Sequence, residues 1–295
     1  MMDEANAVES DPNRRRFIKM SALTLGGAVT MGLSTDAATG TAALPTIKLG
    51  NLEVSRLILG SNPFFGFSHQ TDALTREMQA YYTDEQIART LDDAAAQGIT
   101  AVAAPAYDRW IRLFTRYLEK GGKLRIWIAQ PDAAPERLSA DIAAAAKGGA
   151  KAIFIQGGRV DEQAAKGNYD QLRRWVDEIR GFGVPAGMAA HRRDAHLEAE
   201  KRGFPTDFYF QCVCDPTQGY RAETREGTFA AIRQIDKPVV AYKILGAGRI
   251  PAPEGFEYAF RNLRAKDGVC VGMFPKNRPG EVQQNAELTR RLSRA

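Results

Sequence analysis

Three cysteines in 295 residues are too few for a disulfide-built scaffold. Cys212 and Cys214 lie two apart in one apolar run, on the same side of an extended strand, where disulfide geometry is hard to reach. Cys270 lies in a separate run, and all three read as buried thiols acting as small hydrophobes. A strong excess of one charge is also missing, since 40 Lys/Arg stand against 35 Asp/Glu. The basic pairs Arg173/Arg174, Arg192/Arg193, Lys201/Arg202 and Arg290/Arg291 are scattered as solvated helix faces. A nucleic-acid binder would gather such charge on one face with interleaved aromatics, so no nucleic-acid partner is expected. No stable membrane span is expected either: the uncharged stretch Met20 to Leu33 has 14 residues, and a spanning helix needs about 20. What remains is globular composition, 44% hydrophobic and 25% charged. A chain of this size buries about three quarters of its unfolded surface and needs no staple to fold.

The first forty residues read as an address. Asn13-Arg14-Arg15-Arg16-Phe17-Ile18-Lys19 precedes the short apolar stretch, the order of an export signal. The paired arginines and Phe-Ile-Lys resemble the twin-arginine translocation motif, with Asn13 at its serine position. That resemblance implies the twin-arginine export machinery as a partner and a periplasmic or otherwise exported destination. Residues 1–43 are therefore taken as signal and spacer and 44–295 as one domain. Removing the signal takes away four basic and five acidic residues and leaves 36 and 30.

The rest of the chain repeats one unit, a short apolar run followed by an amphipathic stretch. The apolar runs are Arg56–Gly60, Ile99–Ala104, Leu124–Ala129, Ala152–Gln156, Pro185–Ala190, Phe208–Val213, Val239–Ile244 and Val269–Met273. Their continuity predicts strands covered on both faces. Helices are predicted over 84–97, 109–119, 136–146, 169–180, 193–201, 223–235, 256–263 and 281–293, with Thr83-Asp84-Glu85 as a start signal and Gly98 and Gly203 among the stops. Eight strand–helix units in about 250 residues predict an α/β fold of the (β/α)8 TIM-barrel type. An open doubly wound sheet would often carry G-x-G-x-x-G after its first strand, but Leu59-Gly60-Ser61-Asn62-Pro63 stands there. Residues 61–83 read as a long aromatic-rich loop, a candidate lid.

In such barrels the site lies at the C-terminal strand ends. Those ends carry Asn62 with His69, Tyr107 and Asp108, Gln130 and Asp132, Gln156-Gly157-Gly158, His191, Cys214-Asp215, Lys243 with Gly246-Ala247-Gly248, and Met273 with Lys276. A divalent metal would have His191 with Asp215 or Asp132 and is short of ligands, so no metal is expected. The glycines after Gln156 would let a ligand approach the backbone or simply make a tight turn. Lys243 ends a very apolar strand, which points to a base or Schiff-base nucleophile, or to a lysine reaching a rim carboxylate. His191 is placed as a proton shuttle or a cap, and His196 as a surface residue of the next helix.

Several phrases resemble aldo/keto reductases. They are Lys48-Leu49-Gly50 with Leu52-Glu53-Val54-Ser55-Arg56-Leu57-Ile58-Leu59-Gly60, then Gly98-Ile99-Thr100 with Ala104-Pro105-Ala106-Tyr107, and last Val271-Gly272-Met273 with Glu281-Val282 and Asn285-Ala286. The resemblance implies a (β/α)8 barrel and, in the family, a catalytic Asp, Tyr, Lys and His. Only the tyrosine carries over, to Tyr107; the other positions fall on Ala103 or Ala104, on Gln130 and near Gln156. With the lysine and aspartate gone, nothing in the sequence lowers a tyrosine pKa of about 10. The family's NADP would place its phosphates at Gly246, Gly248 and Lys276. A further set of phrases resembles a group of exported or sugar-gene-associated bacterial proteins. These are Gly60-Ser61-Asn62-Pro63 with His69, Ile155-Gln156-Gly157-Gly158, Pro185-Ala186-Gly187 with His191, and Tyr242-Lys243-Ile244-Leu245-Gly246-Ala247-Gly248.

Three readings stay open. One is an exported enzyme, reductase-like but without the tetrad, doing acid/base chemistry on a small polar carbonyl or sugar-like substrate. It would use His191 and Lys243 for proton transfer, Tyr107 or Asp108 to assist, and Asn62, His69, Gln130 and Gln156 to bind. The second is an NADP-dependent reductase with a rebuilt site, the third a non-catalytic sugar-binding barrel.

Overall fold

A computed structural model describes residues 43–221 and 224–293. An antiparallel hairpin, β1 (Thr46–Leu49) and β2 (Leu52–Ser55), comes first. Eight parallel strands then close a barrel: β3 (Leu57–Gly60), β4 (Ala101–Pro105), β5 (Ile126–Gln130), β6 (Ala152–Ile155), β7 (Ala186–Ala190), β8 (Phe208–Cys212), β9 (Val239–Tyr242) and β10 (Gly268–Gly272). Closure comes from β10 pairing with β3, Val269 opposite Leu57 and Gly272 opposite Gly60. Around the strands lie α1 (Asp72–Tyr81), α2 (Asp84–Ala96), α3 (Asp108–Glu119), α4 (Leu138–Lys147), α5 (Gly157–Ala165), α6 (Tyr169–Gly181), α7 (Arg193–Lys201), α8 (Arg225–Ile232), α9 (Ala252–Asn262) and α10 (Glu281–Leu292). The chain is a (β/α)8 TIM barrel, and all eight apolar runs form its strands.

Alternation along each strand sorts the core into two clusters. Leu57, Leu59, Val102, Trp127 and Ile153 face the helices. Ile58, Ala101, Ile128, Phe154, Phe208, Phe210 and Val240 fill the barrel interior together with Ile47, Leu49 and Val54 of the hairpin. A methyl on Gly268, at the start of β10, would meet Ile47 at 2.8 Å, so the hairpin closes the N-terminal end. Inside, Phe154 and Phe210 stack at 4.2 Å between centroids and form the floor of the opposite end.

The described structure departs from the sequence reading in three places. Residues 61–83 are not an open loop. They form a 3-10 turn over 62–65 and then α1, whose start is capped by Thr71 accepting the Leu74 N–H at 3.1 Å. This helix was hidden because it is polar and buries only Met78 among its own residues. Gly157-Gly158 is not a tight turn but the start of α5, with the Gln156 side chain accepting the Arg159 N–H at 3.0 Å. His196 is fully buried with its ring 4.4 Å from that of Tyr209, because it sits on the inward face of α7 between Ala195 and Ala199. The expected export signal lies outside the described residues. Among the described residues no helix is long and apolar enough to cross a membrane.

Candidate functional site

The C-terminal mouth of the barrel holds a cavity of about 610 Å³. Of the residues singled out from the sequence, Asn62, His69, Tyr107, Gln130, Gln156, His191, Lys243 and Gly248 line it. Three do not. Asp108 is an exposed residue opening α3, where its charge suits the helix N-terminus. Gly246 is buried in the turn after β9. Lys276 is exposed and paired with Glu77 at 2.9 Å.

His191 follows β7. Its Nδ1 donates to Asp161 Oδ2 at 2.7 Å, since an ionised carboxylate only accepts. Asp161, on α5, also accepts the backbone N–H groups of His191 and Arg192, each at 3.1 Å. This fixes the ring and leaves Nε2 as the proton acceptor, with no hydrogen-bond partner among the described residues. Gly157 makes the arrangement possible: a Cβ there would stand 2.9 Å from Tyr242 Oη and 3.2 Å from His191 Cε1. The close approach that this glycine permits is thus to His191 itself.

Lys243 follows β9 with φ +59°, a left-handed conformation rare for a residue with a side chain. Its Nζ donates to Tyr220 Oη at 3.2 Å and lies 4.9 Å from the Tyr220 ring centre. His69, Tyr220 and Ala247 are the other non-glycine residues with positive φ among the described residues, and all of them belong to this side of the mouth. The His69 and Tyr220 rings are 6.1 Å apart. Arg249 lies 4.8 Å over the same tyrosine and donates to the His69 carbonyl at 2.9 Å. Gln70 donates to the Ala247 carbonyl at 2.6 Å, and a Cβ on Gly248 would collide with that amide at 2.9 Å. The loop after β3 and the turn after β9 are thereby clasped together. Backbone strain concentrated in this way is characteristic of functional sites.

Asn62 Nδ2 and His69 Nε2 are 3.1 Å apart. The amide nitrogen only donates, so Nε2 accepts and the His69 proton sits on Nδ1. Burial above all, with the positive charges of Lys243 and Arg249, holds the His69 pKa down at about 4.

Tyr107 donates to Asp132 Oδ2 at 2.7 Å. Burial and the neighbouring carboxylate raise its pKa, the reverse of what an acid catalyst in hydride transfer requires. Burial also raises Asp132, against the hydrogen bond from Tyr107. A reductase use of NADP therefore does not fit these residues. The tyrosine faces a carboxylate where a lysine would be needed, and Lys276 is engaged outside the cavity. Asp215 caps its own turn by accepting the Thr217 N–H at 2.8 Å. Among the described residues no three His, Cys, Asp or Glu side chains are grouped to hold a metal ion.

The sequence reading missed Asp161 and Tyr220 as site residues and counted Asp132 without its tyrosine. A helical pattern over 157–165, masked by two glycines at its start, was the available signal for Asp161.

No family model matches the sequence, and no curated protein matches it. The fold is similar to that of a protein from Pseudomonas aeruginosa described as an aldo-keto reductase, at 16% identity and TM-score 0.59, covering 87% of this chain and 99% of that one. It is also similar to an aldo-keto reductase from Bacillus halodurans, at 12% identity and TM-score 0.57, covering 85% and 95%. A truncated 3-deoxy-D-arabino-heptulosonate 7-phosphate synthase from Thermotoga maritima gives 12% identity and TM-score 0.54, covering 85% and 92%. At such identities these likenesses establish the barrel fold.

Proposed function

We propose that this barrel is an exported acid/base enzyme acting on a small polar carbonyl or sugar-like substrate. The observation that carries this reading is the pairing, in one cavity, of an imidazole buttressed by a carboxylate with a strained lysine. His191 Nε2 removes a proton from the carbon beside the substrate carbonyl, and the electron pair moves to the carbonyl oxygen. Lys243 Nζ–H gives that oxygen a proton, and the reverse transfers restore a carbonyl. Asp161 keeps His191 in the accepting tautomer and stabilises the imidazolium that forms. Gln130, Gln156 and Asn62 bind hydroxyl groups. Tyr107 and Asp132 act as a hydrogen-bonding pair at the rim.

The test is deuterium incorporation from solvent into a panel of hydroxyaldehydes, hydroxyketones and sugars, followed by proton NMR. At least one compound is expected to exchange with the wild-type chain and to lose roughly 10²-fold or more in rate with His191→Ala. Equal exchange by a folded His191→Ala variant would refute the assignment. Stabilisation by a sugar in a thermal-shift screen, with no exchange or product from it, would favour a binding barrel instead.

A further inference from the structure

We propose that the wall formed by the loop after β3 and the turn after β9 is an anion subsite, which takes the carboxylate or phosphate group of the substrate against Lys243 and His69, with one Lys243 N–H on that group and another left for the carbonyl oxygen beside it. This deepens the proton-transfer reading and rests on it for the remainder of the substrate.

Among the described residues two cations meet at this wall without a carboxylate. Among the described residues neither Lys243 nor Arg249 forms an ion pair. Lys243 donates to a phenol, and Arg249 donates to the carbonyls of Gly246 and His69. Both crowd the Tyr220 ring, at 4.9 and 4.8 Å. Lys243 is half-buried and Arg249 exposed, and a partly buried cation near a second positive charge is unfavourable until a counter-charge arrives. The described acidic groups of the mouth are engaged elsewhere: Asp161 holds His191, Asp132 accepts from Tyr107, and Glu281 accepts the Phe274 N–H at 2.6 Å.

The backbone points the same way. Lys243 keeps its side chain at a left-handed position where glycine would sit without strain. His69, its neighbour across the clasp, is held neutral with its proton on Nδ1. It thus adds an N–H donor without adding a third full charge. An ammonium and a neutral imidazole N–H in a partly enclosed cleft suit a compact oxyanion. A neutral sugar would leave both cations unpaired. The occupant expected is therefore a sugar acid, a hydroxy-carbonyl acid or a sugar phosphate, its reacting carbon toward His191 and its hydroxyls toward Gln130 and Gln156.

The sequence has three histidines, which makes the test direct. Imidazole nitrogen–proton spectra of the full chain are recorded while D-gluconate, inorganic phosphate or D-glucose is added. Gluconate or phosphate is expected to shift His69 saturably and to leave buried His196 unmoved, whereas glucose leaves His69 unmoved. Lys243→Met is expected to weaken the anion by roughly tenfold or more, and Lys243→Arg to retain it within a few-fold. Lys243→Gln replaces the methionine variant if that one does not fold. A response to gluconate alone identifies a carboxylate, and a response to phosphate alone identifies a phosphate ester. The inference is overturned if neither anion shifts His69, or if the folded methionine or glutamine variant binds as tightly as wild type. His191-dependent exchange of neutral sugars with no anion bound would overturn it and leave the proton-transfer reading standing. Anion binding at His69 with no His191-dependent exchange of any compound would support the subsite and refute that reading.

Discussion

Lys243 shows how a single side chain is held against its own backbone preference. Its left-handed conformation disfavours any Cβ, and its partners on Tyr220 are a phenol oxygen and a ring face. Lys243→Gly and Lys243→Ala remove the same functional group but differ in that strain. The glycine variant is expected to be more stable than the alanine variant by about 1 kcal/mol in urea unfolding. Equal stabilities would place the strain elsewhere. His196 provides a second test at this scale. Burial lowers its pKa to about 4 from an ordinary 6.5. Between those values the unfolded chain takes up a proton that the folded chain refuses, so stability rises with pH across that window and falls on acidification. His69, lowered to about 4 as well, acts in the same direction. His196→Leu is expected to flatten the loss of stability between pH 6.5 and 4, measured as the urea midpoint against pH. An unchanged profile would contradict the assignment.

At the scale of the element, α5 is what turns a strand end into a site. It carries Asp161 beneath His191, and its first residue must lack a side chain for the ring to seat. Gly157→Ala is expected to leave the barrel folded, by circular dichroism, and to reduce turnover by roughly 10²-fold through displacement of His191. Wild-type turnover would show that the ring position is not critical. This element also marks where the sequence stopped being informative. Strands covered on both faces announce themselves as continuous apolar runs, so β3 to β10 and the strand-end residues His191, Lys243 and Gln130 were legible. Helix α5 opens with two glycines and α1 follows a stretch rich in turn-forming residues, so both read as loop. The pairing of Asp161 with His191 spans 30 residues and two helices, and no local spacing encodes it. The same holds for Lys243 with Tyr220 and for Tyr107 with Asp132, which meet only because the barrel brings successive strand ends to one rim.

At the scale of the whole molecule, the hairpin closes one end of the barrel, and the other end holds the cavity. Aromatic residues of β6 and β8 fill the interior up to the cavity floor. The likeness to reductases extends to the fold, while Tyr107 at the rim faces the side chain of Asp132. The proposed export adds a further test. Arg14→Lys with Arg15→Lys is expected to leave the protein in the cytoplasmic fraction, whereas the unaltered chain is recovered outside it. Export of the double-lysine variant at full yield would argue against the twin-arginine route. The central claim, that His191 and Lys243 act as one proton-transfer pair, is tested most directly by a double-mutant cycle on solvent deuterium exchange. Members of a catalytic unit are strongly non-additive. Each alanine variant is therefore expected to lose roughly 10²-fold or more, and His191→Ala/Lys243→Ala to be little worse than the poorer single variant. A folded double variant that exchanges at the wild-type rate, or losses that simply multiply, would contradict it.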